Sequence, residues 1–218
     1  MSSQWKLIIF DCDGVLVDSE KISCGVIAKQ LTQMGHPMTT EEGVNEFAGT
    51  SLTYVRSFIE KKIGGEIPFD LEDWYRKKTY EAFQRELQPV EHIKEALNQI
   101  DVLKCVASNG PKYKMEMNLG LTGLIDFFPD SLFSAYDIQK WKPEPDLFLH
   151  AANKMGVAPT DCVVIEDSVA GVRAAVAAGM KVYGYAGETE AAKLEAVGAK
   201  IIHSMKDLPK VIYERELS

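Results

Sequence analysis

A doubly wound α/β fold, with a parallel sheet and an inserted helical segment, is predicted by three features of this chain. Short apolar runs recur without polar alternation, capped helical stretches separate them in the second half, and the interval from Ser19 to Leu87 has helical periodicity but no convincing central strand.

The apolar runs are Leu7 to Phe10, Leu103 to Ala107, Cys162 to Ile165, Val182 to Tyr185 and Ile201-Ile202. Near-continuous apolarity marks strands covered on both faces. Within the insertion, one helix runs from about Glu20 to Met34 and stops at Gly35. A second runs from Leu52 to Ile63 before Gly64-Gly65, and a third from Leu71 to Leu87, with Pro89 marking the return to the core. Further along, Glu91 to Ile100 and Pro145 to Met155 read as helices, the latter ending at Gly156. Ser168 caps a helix over Val169 to Val176 that Gly179 stops. The predicted organisation is a Rossmann-like core of residues 1–18 and 88–218 with a small helical cap domain over 19–87. The insertion leaves just after Asp18, which would hang it over the carboxyl edge of the sheet as a water-excluding lid.

With 218 residues, 46% hydrophobic and 26% charged, the chain has ample material for one core and a modest insertion. A formal net charge of −8 argues against nucleic-acid binding through a general basic field, while leaving room for a positive pocket that takes a small anion. The cysteines Cys12, Cys24, Cys105 and Cys162 show neither close pairing nor zinc-like spacing with histidine, so reduced, buried thiols are expected. No apolar run approaches the roughly 20 residues a membrane helix needs, and Met1 to Lys6 lacks a signal-peptide pattern. A cytosolic monomer without membrane or nucleic-acid partners is expected.

Polar groups stand where the strands stop. Asp11-Cys12-Asp13 closes the first strand, and in extended chain the two carboxylates share a side that Cys12 does not. Crowded carboxylates repel unless a cation lies between them or their pKa values are pushed apart; Asp and Gly are also ordinary turn residues. After Val106-Ala107 come Ser108, Asn109, Gly110 and Pro111, which supply a hydroxyl and backbone N–H groups at a helix start, suited to phosphate or to a plain cap. Glu166 and Asp167 follow Val163-Val164-Ile165. Four acids at one edge call for a hard cation, and Mg²⁺, which takes oxygen ligands and is completed by waters and phosphate oxygens, is the natural candidate. Either Asp167 or Ser168 could cap the helix that follows. Lys142 sits in the stiff stretch Lys142-Pro143-Glu144-Pro145, where it could neutralise a carboxylate and a phosphate oxygen together.

Taken as an ordered set, Asp11-Cys12-Asp13-Gly14-Val15-Leu16-Val17-Asp18, Ser108-Asn109, Lys142-Pro143 and Glu166-Asp167 resemble the four motifs of the haloacid dehalogenase-like hydrolase superfamily. The insertion is similar to the small cap of its β-phosphoglucomutase-like and sugar-phosphatase branch. The stretches Ser108 to Pro111 and Phe133 to Pro143 resemble bacterial phosphatases of 6-phosphogluconate and related phosphates. The resemblance implies a Mg²⁺-dependent phosphomonoester hydrolase acting on a small phosphorylated metabolite. Asp11 would be the nucleophile that forms an aspartyl-phosphate, and Asp13 the general acid and base. Asp11, Asp13 through its backbone carbonyl, and Asp167 would ligate the metal, with Glu166 binding directly or through water. Ser108, the Asn109 backbone N–H and Lys142 would stabilise phosphoryl charge.

Mutases of the branch carry a cap histidine and an arginine near Gly49-Thr50-Ser51, where this chain has Ser23 and Leu52, so hydrolysis is favoured over isomerisation. A dehalogenase needs neither Asp13 nor the Glu166-Asp167 acids. Receiver-type phospho-switches lack a cap and place their paired acids before the phosphorylated aspartate. Glu20, Thr50, Ser51, Arg76, Lys77 and Lys78 are candidates to face substrate, Lys77 first among them by similarity to a cap lysine of the family. Trp74, Tyr75 and Tyr80 read as helix packing, and Cys12 as a small packed side chain.

Overall fold

Leu7–Phe10 forms the first strand, β1, and all four of its side chains are buried, as a strand flanked on both faces requires. The computed structural model describes residues 3–48 and 50–214. Gly49, part of the cap loop considered above, lies outside them. The described residues divide into two compact units, 3–17 with 89–214 and 18–88.

The 18–88 unit holds α1 (Glu20–Gln33), α2 (Thr40–Phe47), α3 (Leu52–Ile63) and α4 (Leu71–Glu86). Cys24, Ile27, Leu31, Phe47, Val55, Ile59 and Leu71 make its apolar core. Helix α2 is additional to the three helices read from periodicity. Its signal is chemical, because Thr39 accepts from the Glu42 N–H while the Glu42 carboxylate accepts from the Thr39 N–H, a reciprocal capping box. Trp74 packs against Phe69 at 5.5 Å between ring centroids, in keeping with a packing role.

In the other unit the chain runs through α5 (Ile93–Asn98), β2 (Leu103–Ser108), α6 (Lys112–Leu121), β3 (Leu132–Ser134) and the single-turn α7 (Ala135–Ile138). It continues through α8 (Asp146–Lys154), β4 (Cys162–Glu166), α9 (Val169–Ala177), β5 (Lys181–Tyr185), α10 (Ala191–Glu195), β6 (Lys200–Ile202) and α11 (Leu208–Tyr213). Helix α5 is shorter than the predicted Glu91 to Ile100, because His92 adopts a left-handed conformation at φ +66° and delays the start. Pro111 precedes α6 as an extended cap instead of filling its first turn. Strand β3 has only three residues, too few for an apolar run to reveal.

All six strands are parallel, in the order β3-β2-β1-β4-β5-β6. The chain builds outward from β1 through β2 to β3 and then crosses to β4 on the other side of β1. The order therefore reverses beside β1, and the crevice outside the carboxyl ends of β1 and β4 is where such a sheet accepts a ligand. Leu7, Ile9, Cys105, Ala107, Leu147, Phe148, Ala151, Val164 and Val172 are among the buried side chains that seal the sheet against its helices. Among the described residues no helix is long and apolar enough to cross a membrane. All four cysteines are free and buried.

Candidate active site

The register of β1 against β4 sets the first contact. Asp11 extends the ladder by donating its N–H to the Ile165 carbonyl at 3.0 Å, which brings it alongside the Glu166-Asp167 pair. The chain then turns sharply, with the Leu16 and Val17 N–H groups both donating to the Cys12 carbonyl. Gly14 sits in this turn at φ +77°, and a Cβ there would lie 2.0 Å from Asp167 Oδ2. Only glycine meets both the conformation and the approach of that carboxylate.

Asp11, Glu166 and Asp167 each offer a carboxylate oxygen within 4.8 Å of the others, and all three are buried by their neighbours. Lys142 lies among them, its side chain 3% exposed, and donates from Nζ to Asp11 Oδ1 and to Glu166 Oε1 at 2.6 Å each. Its ammonium also stands 4.9 Å from the centre of the Phe148 ring. Burial alone would drive this lysine toward neutrality; the two carboxylates outweigh that and raise its pKa, so it is charged. For Asp11 burial is the largest influence and pushes the carboxyl up to about 7, with Lys142 opposing and Glu166 adding repulsion. Three carboxylate oxygens crowded within 4.8 Å of one another fit a hard divalent cation.

Glu166 is fully buried and both its oxygens are hydrogen-bonded. Oε1 accepts from Lys142, while Oε2 accepts from the Asp167 and Ser168 N–H groups and from the Ser168 hydroxyl, at 2.9–3.0 Å. Its carboxylate therefore rests on the N-terminus of α9, where the helix dipole favours negative charge. Ser168 is the cap of that helix, accepting from the Gly171 N–H at 3.0 Å, which releases Asp167 to the acidic cluster. A Cβ on Gly171 would fall 1.8 Å from Glu166 Oε1. Gly171→Ala is expected to cost about 2–3 kcal/mol by overpacking and to displace Glu166 together with Lys142. A thermal melt within 1 °C of wild type would show that the helix yields instead.

Ser108 ends β2, nearly buried, and its Oγ accepts from the Gly110 N–H at 3.0 Å. Asn109 clasps the lysine loop through its side chain: Oδ1 accepts from the Lys142 N–H at 2.9 Å and Nδ2 donates to the Lys142 carbonyl at 3.4 Å. The peptide bond between Lys142 and Pro143 is cis. The structure thus draws Asp11, Lys142, Glu166 and Asp167 into one cluster, with Ser108 and Asn109 on the adjoining strand end. The Asp13 carboxylate takes different partners, Lys114 Nζ at 2.8 Å and Asn118 Nδ2 at 3.4 Å, both on α6. Neither was singled out by the motifs. Their readable signal is a lysine and an asparagine one helical turn apart; the structure adds that Asn118 is fully buried.

The insertion residues belong to the 18–88 unit. Lys77 is exposed on α4, and Arg76 and Lys78 pair along the same helix with Glu72 and Glu81, each at 2.7 Å. Thr50 donates to the Phe47 carbonyl, Ser51 caps α3, and Glu20 opens α1. Ser23 lies within α1, and Leu52 packs against the apolar core of this unit.

A parallel sheet with buried carboxylates and a paired lysine at its reversal point defines an α/β enzyme core whose site is built from strand-end acids. The chain belongs to the haloacid dehalogenase-like hydrolase family, whose model matches residues 5–179. It is 37% identical over 182 residues to 6-phosphogluconate phosphatase of Escherichia coli, covering 83% of this chain and 82% of that one. It is 30% identical over 188 residues to the fructose-1-phosphate phosphatase of the same organism, covering 83% and 96%. Among solved structures, a haloacid dehalogenase-like protein of unknown function from Agrobacterium tumefaciens superposes with a TM-score of 0.86 at 38% identity, over 95% of this chain and 97% of that one. A family hydrolase from Deinococcus radiodurans, solved with bound phosphate and sodium, gives 0.81 at 28% identity over 95% and 94%.

Proposed function

We propose that this protein is a Mg²⁺-dependent phosphomonoesterase acting on a small phosphorylated sugar or sugar acid, with 6-phosphogluconate as the first candidate. The observation that carries the reading is Lys142, buried and bridging Asp11 and Glu166 at 2.6 Å each at the sheet's reversal point. The names of the Escherichia coli relatives support the substrate class.

In this reading Asp11 attacks phosphorus, forming an aspartyl-phosphate as the bond to the leaving oxygen breaks. Lys142 holds one Asp11 oxygen and thereby aims the other. Asp13 gives its proton to the departing oxygen, then takes one from the water that attacks the aspartyl-phosphate, releasing phosphate and restoring Asp11. Ser108 keeps its hydroxyl proton for a phosphoryl oxygen, because its Oγ already accepts from Gly110. The Asn109 N–H and Lys142 share the remaining phosphoryl charge. Asp11, Asp167 and the Asp13 carbonyl would hold Mg²⁺, which would supply positive charge to keep Asp11 ionised and offset the phosphoryl group. Glu166 fixes Lys142 and could join the metal directly or through water. A cytosolic monomer completes the reading; the four free, buried thiols suit a reducing compartment.

Phosphate release from a panel of sugar phosphates, phosphorylated sugar acids and nucleotides tests it. Release from the sugar-acid and sugar phosphates is expected to vanish with excess chelator and return with Mg²⁺. A folded protein that releases phosphate from no ester under either condition overturns the assignment.

A further inference from the structure

Helix α6 presents two donors to Asp13 that the reaction as written does not use. Lys114 and Asn118 stand four residues apart, on one face of the helix. Lys114 Nζ reaches Asp13 Oδ2 at 2.8 Å, and Asn118 Nδ2 reaches Asp13 Oδ1 at 3.4 Å. Each carboxylate oxygen therefore has its own donor, and both donors come from one rigid element whose start follows Ser108-Asn109-Gly110-Pro111. Two donors on separate oxygens define the plane of a carboxylate, which one donor cannot.

Asn118 is the more telling of the two. Its side chain is fully buried, and its Oδ1 has no hydrogen-bond partner. An apolar residue would pack there without that standing cost. Turning the amide over would set Oδ1 against a carboxylate oxygen, so the contact with Asp13 decides which way it points. Lys114 is partly open to solvent, at 32% side-chain exposure.

We infer that Lys114 and Asn118 are positioning residues that hold the Asp13 carboxylate in the orientation proton transfer needs. The inference rests on the role proposed above for Asp13. Proton transfer demands hydrogen-bond reach and alignment, and a carboxylate free to rotate spends much of its time out of line.

The test separates the steps that need the Asp13 proton from those that do not. A sugar phosphate leaves as a poor alkoxide and needs protonation; p-nitrophenolate leaves without it. Lys114→Met is expected to lower kcat on the best sugar phosphate about tenfold or more with KM within about twofold. The single-turnover burst of p-nitrophenol from p-nitrophenyl phosphate is expected to change less than about threefold, while steady-state turnover of that ester falls because water attack also needs Asp13. Asn118→Leu, checked by thermal melt, is expected to show the same split, and the double variant less than the product of the two. Asp13→Asn gives the full form of the pattern. Should Lys114→Met fail to fold, Lys114→Gln is read in its place.

Unchanged kcat on the sugar phosphate overturns the inference. An equal fall in the p-nitrophenol burst overturns it too, by placing Lys114 on the phosphoryl group, and a rise in KM alone would make it a substrate contact. Wild-type protein inactive on every ester marks a failure of the underlying reading, whereas active wild type with an indifferent Lys114→Met marks a failure of this inference only.

Discussion

Asp11→Asn is expected to abolish turnover of every phosphate ester, by about 10⁴-fold or more, while the protein folds and binds Mg²⁺ weakly. The amide keeps the shape of the side chain and can still accept from Lys142, but it is no nucleophile toward phosphorus. The same substitution has a signature in metal-free protein. Burial raises the folded-state pKa of Asp11 from 3.8 to about 7, so the folded form holds this proton more tightly than the unfolded chain does. The stability that follows is fully present below pH ~4 and lost as pH rises through ~7. With excess chelator, wild type is expected to lose about 1–4 kcal/mol of stability between pH 4 and pH 8 through this group, and Asp11→Asn to lack that component. At roughly 2–4 °C per kcal/mol for a chain of this length, melting curves at the two pH values resolve it. Near-normal turnover in Asp11→Asn would end the nucleophile assignment, and parallel pH slopes would show that Asp11 is ionised without help.

Lys142→Met removes the ammonium common to two buried carboxylates. Each loses a 2.6 Å ion pair, and the two then face one another in a site that water scarcely enters. Stripping one partner from a buried pair costs about 3–5 kcal/mol, because the remaining charge is left uncompensated. The cation over Phe148 goes as well. A fall of roughly 10 °C in melting temperature is expected in chelator, with a smaller fall in Mg²⁺, which can take up part of the negative charge. Activity is expected to drop by about 10³-fold, since the phosphoryl group loses a charged donor and Asp11 loses its orientation. Adding Glu166→Gln should recover stability beyond the sum of the single effects, because the amide no longer repels Asp11. Additive losses would mean that Lys142 and Glu166 are not coupled.

Much of the fold can be read from the chain because a parallel sheet is covered on both faces. Leu7–Phe10 and the Cys162 to Ile165 part of β4 are therefore apolar and stand out against their polar ends. Strand β3 escapes the same reading, as Leu132–Ser134 is too short for a run and one of its residues is a serine. Helix α2 is hidden from periodicity by its eight residues and declared only by the Thr39–Glu42 capping box. At the site, Asp11, Ser108, Lys142, Glu166 and Asp167 are visible as polar residues where strands stop or loops stiffen. Which carboxylate meets which cation is not visible, because it depends on strand order. Asp13 shows the limit: two residues from Asp11, it meets Lys114, 101 positions along the chain, through a helix whose placement no local pattern encodes.

The crossing of the chain from β3 to β4 on the far side of β1 also has a consequence for assembly. Asp11 lies far upstream of Glu166 and Asp167, with the strands β2 and β3 and the helices α1 to α8 between them. A chain that stops before Cys162 has Asp11 without its counterpart strand and cannot assemble the acidic cluster. Activity therefore reports on the pairing of β4 with β1, since the acidic cluster exists only once those strands lie side by side.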